Sequence, residues 1–403
     1  MAVFQHKPAF AAPYTGTNSL VPASENSRTL TATLYAGVRL WRGAEVYFDP
    51  EMALGVPFSG LKGLGGFTNG EIARTSGPNP VFYRARLFLR QTWNLGEADQ
   101  TVESGLNQLA GSVAARRIVL TAGNVSALDI FDANKYSHEP RRSFLNWSLM
   151  TQGAWDYPAD ARGYTWGAAL EYITPDWAIR AGRFMEPKES NGLSLNRRIM
   201  RSYGDVVELE TGYAIGEQKG RLKLLAFRNQ AVMGSFTDAI AVGSATGAVP
   251  DVSRVRVSND KRGAAVNIEH ELARDVGAFA RGSAHDGRTE TFAFTEIDRS
   301  LSGGVVVGGG RWGRADDQLG VALAVNGLSS AHRTYLARGG LGFFLGDGTL
   351  SYKPEYVFES FYSMKLLKNA WLSIDYQRLT NPGYNADRGP ANFYGIRLHL
   401  ESG

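Results

Sequence analysis

The chain has 403 residues, no Cys and a formal net charge of only +4. Zero Cys excludes a disulfide framework and thiolate metal sites, and so small a net charge makes no electrostatic case for a nucleic-acid partner. No stretch approaches ~18 consecutive apolar residues, which excludes a transmembrane helix but not a barrel, whose alternating strands average to near-neutral hydropathy.

Met1 to Pro8 shows no basic stretch followed by an apolar core, so no secretory signal is visible. Beyond it the dominant pattern has period two. In 31–41, Ala32, Leu34, Ala36, Val38 and Leu40 oppose Thr31, Thr33, Tyr35, Gly37 and Arg39. In 44–54, Val46, Phe48, Met52 and Leu54 oppose Glu45, Tyr47, Asp49 and Glu51. In 81–95, Arg84, Arg86 and Arg90 alternate with Ala85, Leu87 and Leu89. Glu208 and Glu210, then Asp375, then Arg397 occupy the polar side of the later segments 205–215, 370–378 and 392–401. Successive side chains of a strand point to opposite faces, so each segment reads as a strand with one wet face and one oily face.

Strands are predicted near 2–13, 29–41, 44–54, 81–95, 116–128, 163–174, 177–186, 204–215, 220–233, 261–273, 276–286, 301–312, 317–327, 351–364, 370–380 and 392–402, 16 in all. Tight connections such as Arg42-Gly43, Pro175-Asp176 and Arg274-Asp275 alternate with long ones such as 55–80, 129–162 and 328–350. That alternation is the pattern of an outer-membrane barrel: an all-β, antiparallel fold of one domain, 1–403, with short turns at one end and long loops at the other. One connection breaks it. Residues 96–115 are too long for a turn, and "SGLNQLAGSVAA" reads as a short helix. Trp41, Trp93, Trp177, Trp312 and Trp371 all fall at the short-turn end and Trp166 at the other, as interfacial girdles would. A soluble antiparallel sandwich also alternates, but has no reason to place tryptophan by strand polarity.

The arginine face decides between them. An Arg facing lipid at midplane costs about 2–4 kcal/mol, so three cost about 6–12 kcal/mol, comparable to a whole domain's net stability. These cations must see water, which the inside of a barrel of about 16 strands supplies. The predicted lumen face therefore carries Arg84, Arg86, Arg90 and Arg397 together with Glu45, Tyr47, Asp49, Glu51, Glu208, Glu210 and Asp375. Both signs are present, so no strong preference for anions or cations follows.

Other motifs add little. Gly308, Gly310 and Gly313 form a formal G-x-G-x-x-G, but no helical pattern follows as a dinucleotide site requires. Neither a G-x-S-x-G elbow nor an H-E-x-x-H is present, so no enzyme is expected; a barrel hydrolase acting on lipid would need a Ser/His/acid set. "DIFDANKYS" offers Asp129, Asp132 and Asn134 at spacings a calcium ion could use. The commoner reading is a loop held by Asx turns. Apart from that calcium no cofactor is expected. "SSAHRTYLARGG" (329–340) reads as a Ser-capped helix ending at glycine, packed in or over the pore mouth.

Four long stretches carry a resemblance: "GVRLWRGAEVYFDPEMALG" (37–55), "YRARLFLRQT" (83–92), "DIFDANKYSHEPRRSFLNW" (129–147) and "NPGYNADRGPANFYGIRLHLE" (381–401). They resemble the carbohydrate-selective porins of the OprB type from Gram-negative outer membranes, over nearly the whole chain. The resemblance implies a 16-stranded barrel with inward-folded loops and passive passage of sugars and similar small polar solutes. Organic or aromatic acids are the alternative cargo. It also implies a constriction pairing charge with aromatics, a role carried onto Arg84, Arg86 and Arg90, with Tyr47, Tyr35, Trp147 and Trp155 as candidate rings. Expected partners are outer-membrane lipid, lipopolysaccharide and small sugars, with the barrel single or in a homotrimer. The chain departs from the family's usual aromatic C-terminus by ending in Ser402-Gly403, which reads as a trimmed or tagged end.

Overall fold

The structure is a computed structural model and describes residues 1–72 and 77–402. The strands are β1 (Ala2–Lys7), β2 (Glu25–Thr33, continued by Ala36–Trp41), β3 (Ala44–Val56), β4 (Val81–Asn94), β5 (Arg117–Val125), β6 (Thr165–Ile173), β7 (Trp177–Met185) and β8 (Tyr203–Ile215). The second half follows with β9 (Gln218–Gly234), β10 (Arg256–Ala273), β11 (Val276–His285), β12 (Arg299–Gly308), β13 (Gln318–Gly327), β14 (Glu355–Leu367), β15 (Ala370–Thr380) and β16 (Ala391–Leu400). Each pairs antiparallel with its sequence neighbours, and β1 pairs with both β2 and β16, Val3 lying opposite Thr29 and Arg397. The result is a closed 16-stranded barrel. The ring of pairings closes, so each strand has a neighbour on both sides over at least part of its length, which is what lets strands cross a bilayer at all.

Strand ends shift where backbone chemistry requires it. β1 stops at Lys7 because Pro8 has no N–H to give the ladder. β12 stops at Gly308, and the glycine run turns instead of continuing. At the β2–β3 turn Gly43 sits at φ 78°, where an added Cβ would run into the Thr92 carbonyl.

The alternation sorts the side chains as its physics demands. Phe4, Leu209, Leu301, Leu323 and Ile374 stand exposed on the outer wall. Trp41, Trp93, Trp177 and Trp312 are exposed at the turn end, and Trp166 at the loop end. Trp371 is the exception: it turns inward beneath the Arg142 guanidinium, 4.0 Å from its ring.

The 96–115 connection is not a helix. Gln100–Val102 pairs with Gly111–Val113, and the tip between them enters the barrel from the turn end. There Asn107 Nδ2 donates to Asp49 at 2.8 Å, Arg90 donates to the Asn107 carbonyl at 2.7 Å, and the Leu109 N–H donates to Tyr47 Oη at 3.2 Å. Deleting Gly105–Ala110 is expected to raise single-channel conductance without altering solute preference. An unchanged conductance would show that the tip does not throttle the passage.

At the loop end, segment 126–164 crosses the lumen and lines much of its far wall. Its buried backbone groups need partners, and inward-facing side chains of β10, β11, β14, β15 and β16 supply them. Glu359 accepts from the N–H groups of Leu145 and Asn146 at 2.6 and 2.8 Å. Gln377 accepts from Asn146 Nδ2 at 3.0 Å. Lys261 pairs with Asp156 at 2.7 Å, and Arg281 with Asp132 at 3.2 Å. Phe144 packs between Phe279 and Phe361, at 5.5 and 5.0 Å.

A second loop, 328–354, carries the expected helix, Ser330–Ala337, with Ser329 Oγ accepting from the His332 N–H at 3.1 Å. His332 stacks on Phe236 at 4.2 Å, lies 3.2 Å from Asp298 Oδ2, and has Glu296 at 3.6 Å. Glu296 in turn accepts from the N–H groups of Phe344 and Leu345. Burial alone would lower the His332 pKa, but the Asp298 and Glu296 carboxylates outweigh it and raise the value from 6.5 to about 9. A raised folded-state value means stability fully present below about pH 6.5 and lost as pH climbs through about 9. Tryptic cleavage at Arg333 and Arg338 should therefore begin near pH 9 in the wild type and already at neutral pH in His332→Gln. Equal cleavage of both proteins at pH 7 would show that the His332 charge does not hold this loop.

Candidate functional site: the constriction

With 126–164 packed against the far wall, the passage narrows beside β3 and β4. A cavity of about 190 Å³ remains, lined by Glu51, Tyr83 and Arg86 of the wall and by Glu71, Asp129, Glu139, Arg141 and Tyr164 of the loops. Arg86 forks onto Asp129 with two bonds of 2.7 Å and reaches Asp49 at 3.6 Å. Such a bidentate pair fixes the guanidinium plane as well as its charge. Arg141 joins Glu71 at 3.3 Å and Glu139 at 3.2 Å. Glu51 accepts from Thr33 at 2.5 Å and from Tyr83. Burial pushes the Asp129 carboxyl up, but Arg86 more than reverses this, so it stays below its usual range and ionised.

Aromatic rings supply the rest of the lining. Trp147 and Tyr157 each stack on Phe294, at 4.9 and 4.6 Å with planes within 7° and 5° of parallel. Phe67 meets the Trp147 ring edge-on at 5.9 Å. The throat thus combines fixed donors and acceptors with a flat apolar surface. Guanidinium groups donate to hydroxyls, carboxylates accept from them, and a C–H face can lie on a ring.

The sequence-predicted residues divide into groups. Glu51, Arg86 and, from the loop, Asp129 meet at the throat. Glu45, Tyr47, Asp49 and Arg90 face inward, but toward the turn end and against the Asn107 tip. Glu208 accepts from the Asp132 N–H at 2.8 Å and from Arg180 at 3.1 Å. Glu210 shares Arg180 at 2.7 Å. Asp375 and Arg397 form a bidentate pair that is nearly fully buried, and Arg397 also donates to the carbonyls of Pro140 and Ser143. These four face inward as alternation requires, yet they support the wall and the loop rather than line the cavity.

Arg84 corrects the expectation. The β3–β4 register slips at Asp49/Pro50, and Ala85 has no partner there. One extra residue reverses the alternation beyond it. Arg84 therefore shares the side of Phe82, 79% exposed, rather than that of Arg86. It lies over Trp166 at 5.2 Å and donates to Asn124 at 3.2 Å. The three side chains considered for calcium are engaged with protein partners. Asp132 accepts from Arg281, Asn267, Thr151 and the Gln152 N–H. Asn134 Oδ1 accepts from the Tyr136 and Ser137 N–H groups, which is the Asx turn. Asp129 is taken by Arg86, and among the described residues no cluster of three or more His, Asp or Glu is placed to hold a metal.

Sequence reasoning missed Glu71, Glu139, Arg141, Tyr157, Tyr164 and Phe294. All lie in long loops, where no periodicity tells which way a side chain faces. Trp147 does reach the throat, whereas Trp155 is buried behind Tyr157 at 5.6 Å.

A closed barrel with an oily outside and a narrowed, polar throat is a diffusion channel of the outer membrane, a porin. Its family follows from the sequence: residues 17–401 match the carbohydrate-selective porin, OprB family, and the chain belongs to it. The protein is accordingly an outer-membrane channel for sugars in a Gram-negative envelope, and not an enzyme. Lipid around the barrel and small solutes within it are its partners. A structure of OprB from Pseudomonas putida is similar across 99% of this chain and 92% of that one, at 15% identity and a TM-score of 0.73. The outer membrane channel DcaP of Acinetobacter baumannii matches across 99% and 94%, at 9% identity and a TM-score of 0.50. No curated protein matches by sequence.

Proposed function

We propose that the throat beside β4 sets solute choice. Monosaccharides and similar small polar solutes exchange water for Arg86, Arg141, Glu51 and Glu71 while a C–H face passes over the Trp147–Phe294–Tyr157 stack. The observation that supports this is the junction of compensated ion pairs with parallel rings around one cavity. Arg86 and Arg141 there each have a carboxylate neighbour, so a neutral solute passing them meets donors and acceptors of both signs. Transport needs contacts weak enough to release the solute, which many modest hydrogen bonds provide better than one deep pocket. The whole chain acts as one barrel domain, without a metal or cofactor. Lipopolysaccharide surrounds its loop end, and each barrel conducts by itself, single or in a homotrimer.

Liposome swelling tests this reading. Monosaccharides should enter faster than larger oligosaccharides, and Arg86→Ala or Glu51→Ala should change that ratio several-fold. Failure of any small sugar to swell the liposomes would reject it, and faster entry of organic or aromatic acids than of sugars would reassign the cargo.

A further inference from the structure

The wall is incomplete on one side. β4 pairs with β3 over most of its length, but with β5 only from Leu87 to Asn94. Val81–Arg86 thus has no strand on its second side among the described residues. A cavity of about 1110 Å³ opens there, between Arg84 and the loop Lys188–Arg198. Five cations line it, Arg84, Arg162, Lys188, Arg197 and Arg198, against a single carboxylate, Asp160. None of the five has a carboxylate within 4.0 Å among the described residues, whereas Arg86 and Arg141 in the throat are each paired. Asp160 Oδ1 is occupied by the N–H groups of Arg162 and Tyr164. Arg162 lies over the Tyr83 ring at 4.3 Å, and its Nε is buried with no partner.

Holding five like charges around one carboxylate costs self-repulsion, which a further anion relieves. The cleft sits at the loop end beside Trp166, whose exposed indole marks headgroup level. Several guanidinium groups and a lysine suit phosphate, whose oxygens accept from many donors at once. Trp166 also offers a flat face to a sugar ring. We propose that this cleft, which adjoins the throat through Tyr83, Arg162 and Tyr164, is a binding site for the phosphorylated sugar headgroup of an outer-leaflet glycolipid.

The test uses the detergent-solubilised barrel, checked for folding by heat-modifiable gel mobility, with bis-phosphorylated lipid A, dephosphorylated lipid A and inorganic phosphate as probes. Native mass spectrometry should show bis-phosphorylated lipid A retained, and the Lys188→Ala/Arg197→Ala/Arg198→Ala variant should lose at least tenfold in affinity with sugar flux unchanged. The single variant Lys188→Glu, a surface change, should weaken binding in the same direction. Equal binding of dephosphorylated lipid A, or undiminished binding by both variants, would overturn the site. Inorganic phosphate binding as tightly as lipid A would overturn the lipid assignment.

Discussion

Arg281→Ala is expected to free the 126–164 loop from the far wall and raise single-channel conductance several-fold. Arg281 is 2% exposed, so its bonds are made out of bulk water. Nε donates to Asp132 Oδ1 at 3.2 Å, Nη1 to the Leu149 carbonyl at 2.9 Å, and Nη2 to the Ser137 carbonyl at 2.5 Å. One side chain thus fixes three points along the loop. Removing it strands a buried carboxylate and two carbonyls, and losing one partner of a buried pair costs about 3–5 kcal/mol. Asp132 keeps Asn267, Thr151 and Gln152, but these are neutral donors. The barrel itself should persist, because β11 holds its neighbours through backbone ladders that the substitution leaves intact. Planar-bilayer recording gives the readout, with Arg281→Lys expected to fall between. An unaltered conductance in Arg281→Ala would mean that other contacts hold the loop.

Trp147→Ala should weaken sugar binding about tenfold, equivalent to about 1.4 kcal/mol, while raising the flux of small ions. The ring lies parallel to Phe294 at 4.9 Å and is itself braced by Phe67. Its removal deletes one end of the platform and opens a cavity, a change that costs about 3–5 kcal/mol locally. Trp147→Phe preserves a flat ring and should retain most of the affinity. Sugar-induced current noise measures the half-saturation directly. Loss of equal size in Trp147→Phe and Trp147→Ala would show that the site depends on the indole's particular shape and not on stacking.

Much of the architecture was legible because alternation has a mechanism. Leu323, Leu301 and Ile374 turn to lipid, and Glu51, Arg86 and Arg397 turn in, since a strand cannot do otherwise without a bulge. Arg84 shows the limit. The slip at Ala85 is marked only by Pro50 on the facing strand, a residue that sheets tolerate at bulges, and three arginines on one apparent face became two. Facing inward also proved different from lining water. Asp375, Arg397 and Glu208 point into the barrel but are covered by 126–164, because a buried loop must satisfy its N–H and carbonyl groups. Half the throat, including Glu71, Arg141 and Phe294, comes from loop segments whose course depends on those pins. The 96–115 hairpin was misread because a short apolar run without long periodicity is ambiguous between helix and strand.

The most direct measurement exploits the absence of native Cys. Leu128→Cys places a single thiol in the throat lining, and Leu323→Cys places one on the outer wall. In reconstituted membranes a charged, water-soluble thiol reagent should modify Leu128→Cys, block its current, and do so more slowly when glucose is present, while Leu323→Cys stays unmodified. Modification of Leu323→Cys with Leu128→Cys inert, or a rate at position 128 indifferent to sugar, would contradict a water-filled, sugar-selecting throat at this place in the barrel.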